Sequence, residues 1–229
     1  YERAYLYVTY IESIPETTTI TKTFNKRKVK FKPPGGSYVE LTAASDNIYY
    51  PPVAGNNDGY MYSAYIEVTD YVQQYGQGDY FVADIATLEG NGGSTGYYGG
   101  WGLVVVYENS KMKWRDITVF DGYAYVQGST ANHTLEVSGF NAAQSGDVNI
   151  KMGFMAGEGD VGISGDYFEI QKQVDNSYMR LSHTGNTTEN FFNSSIETGD
   201  NLRNPDLLNN TGLDISMFNV VNTDNEVIA

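Results

Sequence analysis

Apolar and polar residues alternate with a period of two through much of the first half of the chain, a rhythm that suits a pleated strand with one buried face rather than a helix. Ala4 to Ile11 reads as such a strand, and Lys28 to Lys32 places Val29 and Phe31 on one face and three lysines on the other. The turn Pro33-Pro34-Gly35-Gly36 ends that strand, and further strands are expected over Tyr38 to Ala43, Tyr60 to Val68 and Tyr80 to Leu88. One short helix interrupts the pattern: Thr69 or Asp70 is expected to cap Tyr71 to Gln74, with Gly76 closing it.

Farther along, Gly102 to Tyr107 is a continuous apolar run of the sort buried on both faces of a sheet. Strands are expected over Asp116–Phe120 and Tyr123–Gln127, joined by an Asp121-Gly122 hairpin turn, then over Thr134–Ser138 and Val148–Phe154. Strands at intervals of eight to twelve residues predict an all-β fold, a β-sandwich or jelly-roll-like domain. A hydrophobic share of 41%, rich in Tyr, Val and Ile, against 18% charged residues supports a core of useful size. Residues 1–229 are expected to form a single β-sandwich domain. Its part from residue 157 on is loop-rich, with eleven Asn after position 175, and is expected to lie over a core made elsewhere, with a strand returning over Leu213 to Val221.

Charge and composition narrow the function classes. A net charge of −14 is repelled by phosphate backbones, so nucleic acid is not an expected partner. With no Cys there are no disulfides and no thiolate metal sites. The longest apolar run is far short of the roughly 20 residues that a helical membrane span needs, so membrane insertion is not expected. A start at Tyr1 without a signal peptide is read as a processed product or an excerpt of a longer polypeptide.

The run Gly99-Gly100-Trp101-Gly102-Leu103-Val104-Val105-Val106-Tyr107-Glu108-Asn109, followed by Ile117 to Tyr123, resembles a signature of extracellular domains in large bacterial surface proteins, chiefly of Bacteroidota. These include gliding-motility adhesins exported by the type IX secretion system, and archaeal surface proteins carry similar blocks. Other pieces agree in order: Ala4-Tyr5-Leu6-Tyr7, Val29 to Lys32, Ile66 to Val72, Ser138-Gly139-Phe140, Gly157 to Asp160, Gly165-Asp166, Asn190 to Ser195, Asn204-Pro205 and Asn210 to Asp214. The resemblance implies an exported, adhesin-type β domain within a longer chain. It supplies no catalytic residues, and it implies further strands beyond Ala229 that complete a sheet edge.

Three constellations are candidate sites. Glu158, Asp160 and Asp166, with Asp214 from elsewhere in the chain, offer the hard oxygen ligands that calcium takes in a Gly-rich loop, although acids in turns more commonly bond their own backbone amides. Asn57, Asp58 and Tyr60, together with Tyr97, Tyr98 and Trp101 across a Gly-rich loop, offer ring faces for sugars and amide or carboxylate groups for hydroxyls. The alternative is that these rings are simply buried beneath the loops. The basic run Asn25 to Lys32 could steer an anionic surface, whereas lysines alternating with apolar residues also suit a sheet edge.

For catalysis, two His and no nucleophile motif make a thin inventory, and pairing His183 with Ser182 in a triad would have no geometric support. Four Asn-x-Ser/Thr sequons, starting at Asn132, Asn186, Asn193 and Asn209, mark glycosylation acceptors if the source modifies them. The expected function is therefore non-enzymatic: an extracellular, cell-surface adhesion module that binds a glycan or a protein surface through loops, with calcium as a stabilising ion. The alternative is a structural subunit of a filament, sheath or surface layer, its strands pairing with neighbouring domains or copies of the same protein.

Overall fold

The structure, a computed structural model, describes residues 7–13, 19–51, 61–88, 96–126, 128, 132–157, 159–199 and 207–228, with side chains from residue 23 onward. The fold is all-β, mostly in antiparallel sheets, with a single short helix among the described residues. The chain divides into two compact units: Tyr1–Tyr97 with Val119–Ser138, and Tyr98–Thr118 with Gly139–Ala229.

In the first unit, β1 (Tyr7–Ser13) pairs antiparallel with β2 (Thr19–Asn25). Next, β3 (Lys28–Lys32) lies between β4 (Val39–Thr42) and β7 (Phe81–Ala83). The β3–β4 turn forms as its sequence predicts: Gly36 N–H donates to the Pro33 carbonyl at 3.0 Å, and Gly35 takes the positive φ of +66° that follows proline in a type II turn. Short strands β5 (Ile48–Tyr49) and β6 (Ser63–Ala64) pair with each other. Helix α1 (Thr69–Tyr75) ends at Gly76, at φ +66°. Its start differs from expectation: Thr69 is already helical, Val68 occupies the cap position, and the Glu67 carboxylate takes the Thr69 N–H at 3.0 Å. The helix is held by Tyr71, whose ring meets buried Phe31 edge-on at 5.5 Å while Tyr80 stacks on Phe31 at 5.7 Å.

The basic run is not a sheet edge, because β3 has a neighbour on each side. Its cations are used within the unit. Lys28 pairs with Glu40 at 2.7 Å and Lys30 with Asp84 at 2.8 Å. Arg27 donates to the Ala43 carbonyl, and Lys32 lies over Phe81. Lys26 is only 1% exposed and sits over the rings of Tyr50 and Tyr62; burial lowers its pKa to about 8 and raises that of Tyr62 to about 12.

The second unit is built on β8 (Ile150–Gly157), which pairs antiparallel with β12 (Leu213–Val220) over its full length, while β11 (Ile196–Glu197) joins β12 in parallel. Alternation then decides the faces. Asp214, Ser216, Phe218 and Val220 of β12 point to the buried side, opposite Ala156, Phe154, Met152 and Ile150. The core there is Leu181, Phe191, Phe218 and Val220, packed by Phe154, Phe168 and Phe192 and flanked by the hairpin of β9 (Glu169–Gln171) and β10 (Tyr178–Arg180). The loop-rich tail contributes Phe168, Phe191, Phe192 and Phe218 to this core, where they gather around Phe154 ring to ring.

On the opposite face of the β8–β12 pair, Tyr98 rests against Gly157, Gly100 against Leu213, and Gly102 against Met155 and Ile215. A Cβ at Gly100 would come within 2.6 Å of Leu213 Cδ2, so any larger residue there would make the leucine side chain shift.

Beyond Gly102 the sequence reading is corrected. Among the described residues, Gly102–Tyr107, Asp116–Phe120, Thr134–Ser138 and 123–126 carry no assigned strand, and none flanks Asp121-Gly122 as a hairpin. Asp121 instead accepts the Tyr49 hydroxyl at 2.8 Å. Val104, Val106 and Tyr107 are 73%, 58% and 67% exposed rather than buried. A continuous apolar run signals a strand that seeks cover on both faces, but its pattern does not say what covers it.

Candidate functional site

The most polar buried corner of the chain lies in the second unit, where β8 ends, β12 begins and the loop from Asn190 to Ser195 crosses between them. Because Asp214 is the second residue of β12 on its buried face, its side chain is wholly enclosed. Its Oδ1 accepts the Ser195 N–H at 3.0 Å, whereas its Oδ2 is buried without a hydrogen-bond partner. Desolvation pushes the Asp214 carboxyl above the usual range; the loop amides oppose this and the nearby Asp166 charge adds to it.

Gly159 explains how the carboxylate fits. A Cβ there would lie 1.9 Å from Asp214 Oδ2, 2.7 Å from Ser194 N and 2.8 Å from the Phe192 carbonyl oxygen. Only a residue without a side chain lets Asp214 reach the loop.

Asp166 holds the same loop from its other end. Its Oδ1 accepts the N–H groups of both Phe191 and Phe192 at 2.7 Å, and its backbone forms a bridge with Asn190. The Asn190 amide donates to the Val161 carbonyl at 3.2 Å, which leaves Asn190 Oδ1 buried with no partner. Phe192 links the two acids, since its carbonyl oxygen also receives the Asp160 N–H at 3.2 Å. An unmatched buried acceptor costs about 1–3 kcal/mol, and more when it is charged.

Of the four acids expected to ligate calcium, Asp166 and Asp214 are therefore brought to one loop, Asp160 stands exposed at its rim, and Glu158 lies outside the described residues. Among the described residues no three His, Asp or Glu side chains gather around one point. Asn190 was not singled out as a ligand in the sequence. Its block carried only the resemblance, and nothing local marks an asparagine whose oxygen will be orphaned.

Around this corner a polar net fixes the loop. Buried Asn186 donates to the Phe191 carbonyl at 2.6 Å and to Asn193 Oδ1, and accepts from the Ser195 hydroxyl. Ser194 Oγ accepts the N–H groups of Asn210 and Gly212. His183 pairs with Ser216, Nε2 to Oγ at 3.1 Å, and not with its sequence neighbour Ser182. Ser216 is 1% exposed beneath the sheet, so this pair braces the core.

The second candidate constellation is divided. Asn57, Asp58 and Tyr60 lie outside the described residues. Tyr97 belongs to the first unit and Tyr98 and Trp101 to the second. Tyr98 is used structurally against Gly157, while Tyr97 and Trp101 are 39% and 36% exposed. Two open hollows in the second unit, one lined by residues 141–146 with Asn225 and one by 147–149, Val220 and 222–224, present no aromatic ring on which a sugar could stack.

Compared with known proteins, the chain matches no family model, no curated protein and no solved structure.

Proposed function

We propose that the chain is a non-enzymatic module of an extracellular surface protein and that it acts by contact, joining neighbouring copies through the segment from Leu103 to Tyr107. The observation that carries this reading is the exposure of that segment: four consecutive β-forming residues, Val104 to Tyr107, are between 48% and 73% exposed and pair with no strand among the described residues. Contiguous apolar surface of this kind marks an interaction site, and unpaired main-chain groups beside it favour strand addition. One edge of β8 is also unpaired among the described residues. The resemblance to adhesin-type surface domains agrees with an adhesive building block of this sort.

Sedimentation velocity across a wide concentration range tests the proposal. The expected result is concentration-dependent association that disappears in the Val104→Lys/Val106→Lys variant. A chain that stays monomeric at every concentration overturns it.

A second reading, glycan adhesion, is favoured by the half-exposed Trp101 ring. Its test is a glycan array, with binding lost in Trp101→Ala.

A further inference from the structure

We infer that the corner formed by Asp166, Asn190 and Asp214 binds one hard divalent cation, calcium by the character of its donors. This does not rest on the contact reading above. Among the described residues, the two buried side-chain oxygens without a hydrogen-bond partner are Asn190 Oδ1 and Asp214 Oδ2, and both belong to this corner. Each is an acceptor, and Asp214 is completely enclosed. Orphaned acceptors in a corner that also holds two carboxylates call for a positive or hydrogen-donating partner.

Among the described residues the cations of this stretch are held by other acids: Lys172 pairs with Glu226, and Arg180 with Glu169 and Glu189. The neighbouring main chain turns the amides of Asn193 to Ser195 toward the Asp214 carboxylate and also adds an oxygen. The Phe192 carbonyl lies beside the Gly159 position that Asp214 Oδ2 fills, and Asp160 follows Gly159 on the exposed rim.

The donors are two carboxylates, an amide oxygen and a carbonyl oxygen, with solvent to complete the shell. Calcium takes six to eight such oxygens in flexible geometry at about 2.3–2.6 Å, whereas magnesium keeps a near-octahedral shell of waters. Zinc would look for nitrogen or sulfur, and the nearby His183 is committed to Ser216.

The experiment uses the full chain, stripped with chelator. Calcium is added while thermal unfolding is followed, and terbium serves as a luminescent probe, excited through tyrosine; Tyr167 adjoins Asp166 in the chain. The expected result is a rise in Tm with calcium that chelator reverses, and saturable terbium emission that calcium displaces. Asp214→Asn and Asn190→Ala should each weaken calcium about tenfold or more. Asn190→Asp, which adds charge at the same place, should tighten it. Because Asp214→Asn removes a buried charge, it should fold without calcium. Should it fail to fold, the two Asn190 variants decide, and their opposite signs are not what a merely structural asparagine would show. The inference is overturned if wild type shows no calcium-dependent shift, or if the folded variants respond as wild type does, which would leave a buried water as the partner of the two oxygens.

Discussion

The imidazole of His183 lies flat on the phenyl ring of Phe218, with 4.8 Å between ring centres and 19° between planes. Its Nδ1–H donates to the Thr184 carbonyl and its Nε2 accepts the Ser216 hydroxyl, both at 3.1 Å, so the neutral ring is the form that fits. Burial lowers the His183 pKa, opposed by the Thr184 carbonyl and by Glu197. The folded value thus lies below the unfolded value of about 6.5, and the unfolded chain takes the proton first. The stability involved is fully present above about pH 6.5 and is lost as pH falls through the folded pKa. Denaturant unfolding between about pH 7.5 and 5.5 should show the decline, and His183→Phe should remove it. An NMR titration placing His183 above the unfolded value would refute this.

Gly159→Ala should be among the most damaging single changes. Its Cβ would collide with the Asp214 carboxylate and with two main-chain atoms of the crossing loop, and the main-chain atoms have little freedom to yield. A loss of about 3 kcal/mol or more is expected from urea unfolding. Gly162→Ala, three residues on and facing open space, should be nearly neutral.

Phe154 is the hub of the aromatic core, in ring contact with Phe168, Phe191, Phe192 and Phe218 at 5.4 to 6.4 Å. Phe154→Ala should cost about 3–5 kcal/mol. Phe154→Leu, which retains much of the volume, should cost clearly less. The urea midpoint should fall in both at nearly constant slope.

Lys26 makes a prediction of the same pH sense as His183, in the alkaline range. Its folded pKa of about 8 lies below the ordinary 10.5 because burial disfavours the charge. Between those values the unfolded chain holds more protons, so stability should rise as pH increases through about 8 toward 10, by on the order of 1–3 kcal/mol. Tyr62, pushed up to about 12, stays protonated throughout. Lys26→Met should flatten the profile, and an unchanged slope in that variant would count against the buried amine.

Legibility in the sequence followed the range of the interaction responsible. The turn at Pro33 to Gly36, the end of α1 at Gly76 and the alternation of β12 depend on neighbours in the chain, and each was readable. The run at Gly102 to Tyr107 was readable as apolar but not as exposed, because cover is supplied by other segments. The acids at 160, 166 and 214 could be named as oxygen donors. That Asp166 and Asp214 would each hold an end of one loop, with Asn190 bridged to Asp166, could not.

Residue order was thus enough to specify an all-β chain with one short helix, no thiol chemistry and a strongly acidic balance, since these follow from periodicity, turn chemistry and counting. Packing alone decided which polar atoms were buried together and which were left without partners. Asp214 is sealed only because Gly159, Ser194 and Phe192, remote from it in the chain, close around it. Desolvation is a property of that enclosure and of nothing in the local pattern.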